Sequence, residues 1–129
     1  MTSSGAISTS GITLICIAAV LTAAANLLLR HSVLSANSMT GAVFAASTWG
    51  PLLRSATFWA GLFLYGMSAL VWFRVLARDP ISSTYPMLVG LTFVLVSAGA
   101  VLVFREKVSV LKAAGMGLIL AGVTAISRG

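Results

Sequence analysis

Negative charge is almost missing from this chain: its 129 residues include two acidic side chains, Asp79 and Glu106, against eight Lys and Arg, for a formal charge of +6. Charged residues of both signs make up only 8% and hydrophobic ones 59%, where soluble domains carry about 25% charge. That balance excludes a soluble globular domain, and so few cations in so much apolar sequence exclude nucleic acid as a partner. Cysteine is reduced to Cys16, inside an apolar run; no disulfide framework or cysteine metal site can be built, and a small buried side chain is expected. Histidine is reduced to His31, at the end of the same run. No metal-ligand cluster, no nucleophile with a base and no phosphate loop is present, so neither catalysis nor a cofactor is expected. The basic excess is left to meet anionic headgroups or an anionic substrate.

What the chain does have is long apolar runs. Gly11 to Leu29 carries no charge and stops at Arg30 and His31, long enough to cross a bilayer at about 20 residues per span. A cleaved signal peptide competes for this run through Ala23-Ala24-Ala25. However, residues 1–10 hold no Lys or Arg and three leucines follow the alanines, so a retained helix is expected. Further spans are expected at about 57–77, with Arg74 in its last turn, at 81–104, and at 110–126, with Lys112 at its entry. The expectation is one all-α, four-helix transmembrane domain over residues 1–129, with both termini on one side.

The connection from 31 to 55 is oddly apolar, with Val43, Phe44 and Trp49 among Ser, Asn and Thr. An interfacial helix over about 40–50, anchored by Trp49, is one reading and an irregular loop the other. The connections Arg78-Asp79-Pro80 and Arg105-Glu106-Lys107 are short, which predicts that the last three spans form a compact series of antiparallel hairpins. Five cations (Arg30, Arg54, Arg105, Lys107, Lys112) fall on one face and three (Arg74, Arg78, Arg128) on the other. The bias toward the first face in the cytoplasm is weak and leaves the orientation open.

The polar residues inside the spans are the candidate functional ones. Ala18, Thr22, Asn26 and Arg30 recur every four residues, a stripe that grows more polar toward its basic end. An amide in hydrocarbon needs a hydrogen-bond partner, so Asn26 either joins two helices or, with Thr22, lines a headgroup pocket. Gly61, Tyr65, Ser68 or Ala69, and Trp72 share a face of the second span, as packing or as a groove with aromatic edges. Arg74 either snorkels or meets an anion. The third span opens with Asp79 as an expected N-cap and Pro80 at the first helical position. Pro86 cannot donate to the Ser82 carbonyl and is expected to kink or break the helix beside Tyr85. Gly90 is expected to supply a hinge or a close helix contact. In the fourth span Ala113, Gly117, Ala121 and Ala125 at successive fours form an association face. Because four such helices enclose too little for a substrate path, at least a dimer is expected. No carboxylate lies mid-span, which argues against proton-coupled export of cations.

The residues from Trp72 through Arg78-Asp79-Pro80, Tyr85-Pro86-Met87-Leu88, Phe93-Val94, Arg105-Glu106-Lys107-Val108-Ser109 and the run Gly115 to Val123 resemble the small multidrug resistance and EamA-type branches of the drug/metabolite transporter superfamily. Within that group, Tyr85-Pro86-Met87-Leu88 and Asn26 four before a basic residue are most similar to the aminoarabinose-phosphoundecaprenol flippase subunits. The resemblance implies a multi-pass protein of the bacterial inner membrane, a four-helix small multidrug resistance-like bundle, working in pairs on a polyprenyl-phosphate-linked sugar. Thr22 stands where the multidrug exporters carry an essential glutamate, and Leu88 where they carry a pocket tryptophan; Tyr65 and Tyr85 match pocket tyrosines. Glu106 matches a family glutamate expected to tie its loop to the last helix.

Together these readings lead to a flippase subunit for an undecaprenyl phosphate-type glycolipid carrier, acting as a homodimer or as a heterodimer with a related four-helix subunit. Arg30 and Arg74 would hold the phosphate at opposite headgroup levels, while Thr22, Asn26, Tyr65, Tyr85 and the start of the third span accept the sugar. The alternatives are a multidrug-type small-molecule exporter with altered coupling, and a non-transporting accessory subunit of a larger membrane complex.

Overall fold

A computed structural model describes residues 7–40 and 46–129. The described chain forms five helices: α1 (Thr9–Thr40), α2 (Ala46–Arg54), α3 (Ala56–Leu76), α4 (Ile81–Phe104) and α5 (Val110–Arg128). Four of them, α1, α3, α4 and α5, are long and apolar enough to cross a membrane.

Hydrophobicity and helix length part company in α1. The apolar run ends at Arg30, but the helix continues to Thr40 because neither Arg nor His breaks a helix and the first Gly or Pro beyond them is Gly41. At 1.5 Å per residue its 32 residues reach about 48 Å, well past a hydrocarbon core of about 30 Å. The nine-residue α2 carries Trp49 and ends on Arg54. Residues 41–45 of the expected interfacial helix, Val43 and Phe44 among them, lie outside the described residues. Trp59 in the first turn of α3 donates from Nε1 to the Leu53 carbonyl at 2.7 Å, closing the end of α2. Ser55 and Ser109 cap α3 and α5 through their hydroxyls, accepting from the Phe58 and Lys112 amides.

The centre of the bundle is α1. Ile15, Ala18, Ala19 and Ala25 are fully buried, a stripe at three- and four-residue spacing whose small side chains let neighbours approach. As a result α1 lies along both α3 and α4, while those two barely touch. The expected hairpin series is therefore corrected: a short turn joins α3 to α4, but α1 is wedged between them, and only α4 and α5 pack as a hairpin. Gly90 makes that packing possible, since a Cβ there would stand 2.7 Å from Val123 Cγ2 and 3.2 Å from Ile119 Cγ2. The apolar core gathers at one end, where Ile7, Ile15, Val75 and Met87 meet Trp72 and Leu88.

Three local expectations are also corrected. Asp79 does not cap α4; Pro80 is the N-cap, without a side-chain bond. The Asp79 carboxylate instead accepts from the Ser8 amide at 3.1 Å and the Ser8 hydroxyl at 3.3 Å. Ser8 in turn accepts from the Gly11 amide, so the acid sits at the positive end of α1 and links the starts of α1 and α4. Of the kink or break expected at Pro86, the break does not occur: α4 runs unbroken to Phe104. So near the helix start, the proline removes one ladder bond while the Ser83 and Thr84 amides still close on the Pro80 carbonyl. Cys16 is exposed, not buried, because the buried stripe of α1 passes through Ile15 and Ala19 on either side of it.

Candidate functional site

The polar stripe of α1 meets its partners on α3. Ser68, buried on α3, donates to the Ala18 carbonyl at 3.0 Å, so the Thr22 hydroxyl is left to donate to Ser68 Oγ, 2.5 Å away. One turn further, Asn26 accepts from the Tyr65 hydroxyl at 2.7 Å and donates to the Thr22 carbonyl at 3.0 Å. Gly61 completes the face, with room only for a hydrogen where Leu29 closes on it. Gly61, Tyr65, Ser68 and Trp72 thus form one α1-facing stripe. In this arrangement Asn26 is a link between helices.

The opposite flank of the same two α1 residues is open. Thr22 and Asn26, with Tyr85, Leu88, Val89, Thr92, Phe93, Val96 and Ser97 of α4, line a groove of about 500 Å³. The α4 residues fall at offsets of three and four, one complete helix face, and span about 18 Å along the axis. Tyr85, Val89 and Phe93 are each about half exposed, so the groove opens sideways, where the bilayer would lie. The Tyr85 ring leans against Trp72, centroids 6.1 Å apart. Three of the six expected binding residues, Thr22, Asn26 and Tyr85, therefore share one groove, and Tyr65 is tied to it through Asn26.

The two arginines lie elsewhere. Arg30, one turn beyond Asn26, forms an ion pair with Glu106 and covers the Phe104 ring at 4.4 Å. Glu106 also faces Lys112 at 3.9 Å, so it ties its loop to α1 as well as to α5. At the other end Arg74 and Arg78, one turn apart on or just past α3, border a second cavity of about 410 Å³ with Ser10, Thr13 and Leu14 of α1. Neither has an ion-pair partner among the described residues. Pro86 is exposed and Gly90 lies against α5. Ala113, Gly117, Ala121 and Ala125 are all exposed on α5, and a Cβ on Gly117 would meet nothing within 4 Å; no described helix of this chain covers that face.

The α4 wall was not anticipated beyond Tyr85 and Leu88. Part of its signal is in the sequence: Thr92 follows Tyr85 by seven residues, close to two helical turns, inside an otherwise apolar run.

No family model matches the chain, and no solved structure does. A Pseudomonas aeruginosa protein is 43% identical over 84 residues, covering 65% of this chain and 72% of the relative; it is described as a probable 4-amino-4-deoxy-L-arabinose-phosphoundecaprenol flippase subunit, ArnE. Proteins of the same description from Pseudomonas fluorescens and Erwinia tasmaniensis are 40% and 43% identical over 81 and 72 residues, covering 63% and 54% of this chain and 70% and 66% of the relatives. Four membrane-length helices and these relatives lead to one conclusion: the chain belongs to the ArnE family of flippase subunits, within the small multidrug resistance and EamA-like group.

Proposed function

We propose that this protein is an inner-membrane flippase subunit that moves a polyprenyl-phosphate-linked sugar, such as the aminoarabinose carrier named for its relatives, and that it acts as a dimer. The observation that carries this reading is the groove between α1 and α4, which opens sideways and holds Thr22, Asn26 and Tyr85 among apolar side chains. A lipid-linked substrate must keep its tail in the bilayer while its polar head crosses, and a laterally open groove with hydrogen-bonding groups on one wall suits that division. The head would meet Thr22, Asn26, Tyr65 and Tyr85.

The phosphate would be held at the headgroup levels. Arg74, free of an ion-pair partner among the described residues, suits that task directly. Arg30 would take it up at the other level only as its bond to Glu106 opens. Pro86 would serve as a point of bending, since the Ser82 carbonyl has no proline N–H to bind. The uncovered small-residue face of α5, Ala113, Gly117, Ala121 and Ala125, would join a second subunit, identical or related. The absence of an acid on the groove wall supports this reading over proton-coupled drug export.

Native mass spectrometry of the protein extracted gently from its own membrane tests the reading, with Arg74→Ala alongside. The expected result is a dimer that retains a polyprenyl-phosphate species, lost in the variant. Bulk phospholipid alone, the same in both forms, would return the arginines to anchoring and overturn the proposal.

A further inference from the structure

Two polar side chains of the groove are engaged within the protein: the Thr22 hydroxyl with Ser68, and Asn26 with Tyr65 and the Thr22 carbonyl. Thr92 is different. Its hydroxyl oxygen is buried and has no hydrogen-bond partner, the one such side-chain atom among the described residues. Elsewhere in these helices Thr13, Thr84 and Thr124 each donate to the carbonyl four residues back; Thr92 does not. A hydroxyl left without a partner in an apolar setting is unfavourable, and in a bilayer no water arrives to relieve it.

Its position gives that orphan a meaning. Thr92 is the central member of the seven α4 residues along the groove, Tyr85 to Ser97. It lies eleven residues into α4, which begins at Ile81, or about 16 Å at 1.5 Å per residue. In a hydrocarbon core of about 30 Å that is the midplane. The surrounding wall of Leu88, Val89, Phe93 and Val96 holds no charged side chain, so a charged phosphate finds no counter-ion there, whereas a neutral hydroxyl finds a partner of its own kind.

We infer that Thr92, by turning about χ1 to bring its buried hydroxyl out to the groove, is a hydrogen-bonding residue for a neutral sugar hydroxyl of the lipid-linked substrate as its head passes the middle of the membrane, an assignment that rests on the flippase reading above. Thr92 selects for a glycosylated carrier; the phosphate is held at the headgroup levels, away from Thr92.

The test uses the purified native assembly in proteoliposomes with undecaprenyl-phosphate-linked aminoarabinose, its outward movement read with a membrane-impermeant amine reagent. Thr92→Val keeps the shape and removes the hydroxyl; Thr92→Ser keeps the hydroxyl. Thr92→Val is expected to slow movement about tenfold, the equivalent of one hydrogen bond, and Thr92→Ser to stay within about twofold of wild type. Retention of sugar-free undecaprenyl phosphate is expected to be equal in all three, and the melting temperature of Thr92→Val to be unchanged or raised, since no internal bond is lost. Wild-type movement by Thr92→Val, or a lowered melting temperature with equal loss for both lipids, would overturn the role of Thr92 and leave the flippase reading standing. No movement by the wild-type assembly would overturn that reading itself, and the role of Thr92 with it.

Discussion

The Tyr65 hydroxyl donates to Asn26 Oδ1 at 2.7 Å, and this bond ties α3 to α1 beside the groove. Removing the donor leaves a polar oxygen with one partner fewer in an apolar setting. Tyr65→Phe is expected to lower stability by about 0.5–1.5 kcal/mol, the range of interhelical hydrogen bonds in membranes. Thermal unfolding in detergent measures it, and a double-mutant cycle with Asn26→Leu should recover a coupling of the same size. Strict additivity would mean that the two side chains act separately.

The four spans were legible because apolar length is a direct reading of bilayer thickness, and the α1 stripe was legible because Thr22, Asn26 and Arg30 stand at a constant spacing. What could not be read was which helix each polar residue faces. Short loops suggested that α3 and α4 pair, but the fully buried alanines of α1 let it come between them, and that placement creates the groove. The same limit applied to single side chains. Asp79 looked like a cap for its own helix, yet its carboxylate reaches Ser8 at the start of α1, 71 positions away in the chain. Arg30 looked free for an anion because the sequence cannot say that Glu106 returns beside it.

Gly90 lies where α4 and α5 approach closely. A methyl group there falls 2.7 Å from Val123 Cγ2, and valine, stiff at χ1, has little room to yield. Gly90→Ala is expected to destabilise the α4–α5 hairpin by about 1–3 kcal/mol, as overpacking does. Val123→Ala in the same chain should restore part of the loss, which denaturation of the single and double variants would reveal. A stabilised single variant would contradict the close contact.

Glu106 holds Arg30 and stands near Lys112, but the Arg30 and Glu106 side chains are 44% and 30% exposed. A pair so open to its surroundings contributes little, so Glu106→Gln is expected to lower stability by less than about 1 kcal/mol. Its effect on ligand should be larger in kind, because it frees the guanidinium. Native mass spectrometry is expected to find more polyprenyl phosphate retained by Glu106→Gln than by wild type. Equal retention, with Arg30→Ala also unchanged, would make Arg30 a structural partner of Glu106 alone.

Gly117 separates packing within the chain from packing between chains. Nothing in the described structure lies within 4 Å of a Cβ placed on it, and α5 has no buried residues, so a large side chain there meets no obstacle in its own subunit. Gly117→Leu is therefore expected to leave helix content and monomer stability unchanged while removing the close backbone approach that a small-residue face permits. If that face joins subunits, the mass recorded in mild detergent shifts from dimer to monomer and carrier movement falls with it. Gly115→Leu and Gly122→Leu are the controls, since a Cβ at either position also meets nothing within 4 Å but both stand off the 113–117–121–125 register; they should disturb assembly less. A Gly117→Leu dimer of undiminished stability would move the contact to another helix, with the exposed face of α3 the next to be varied.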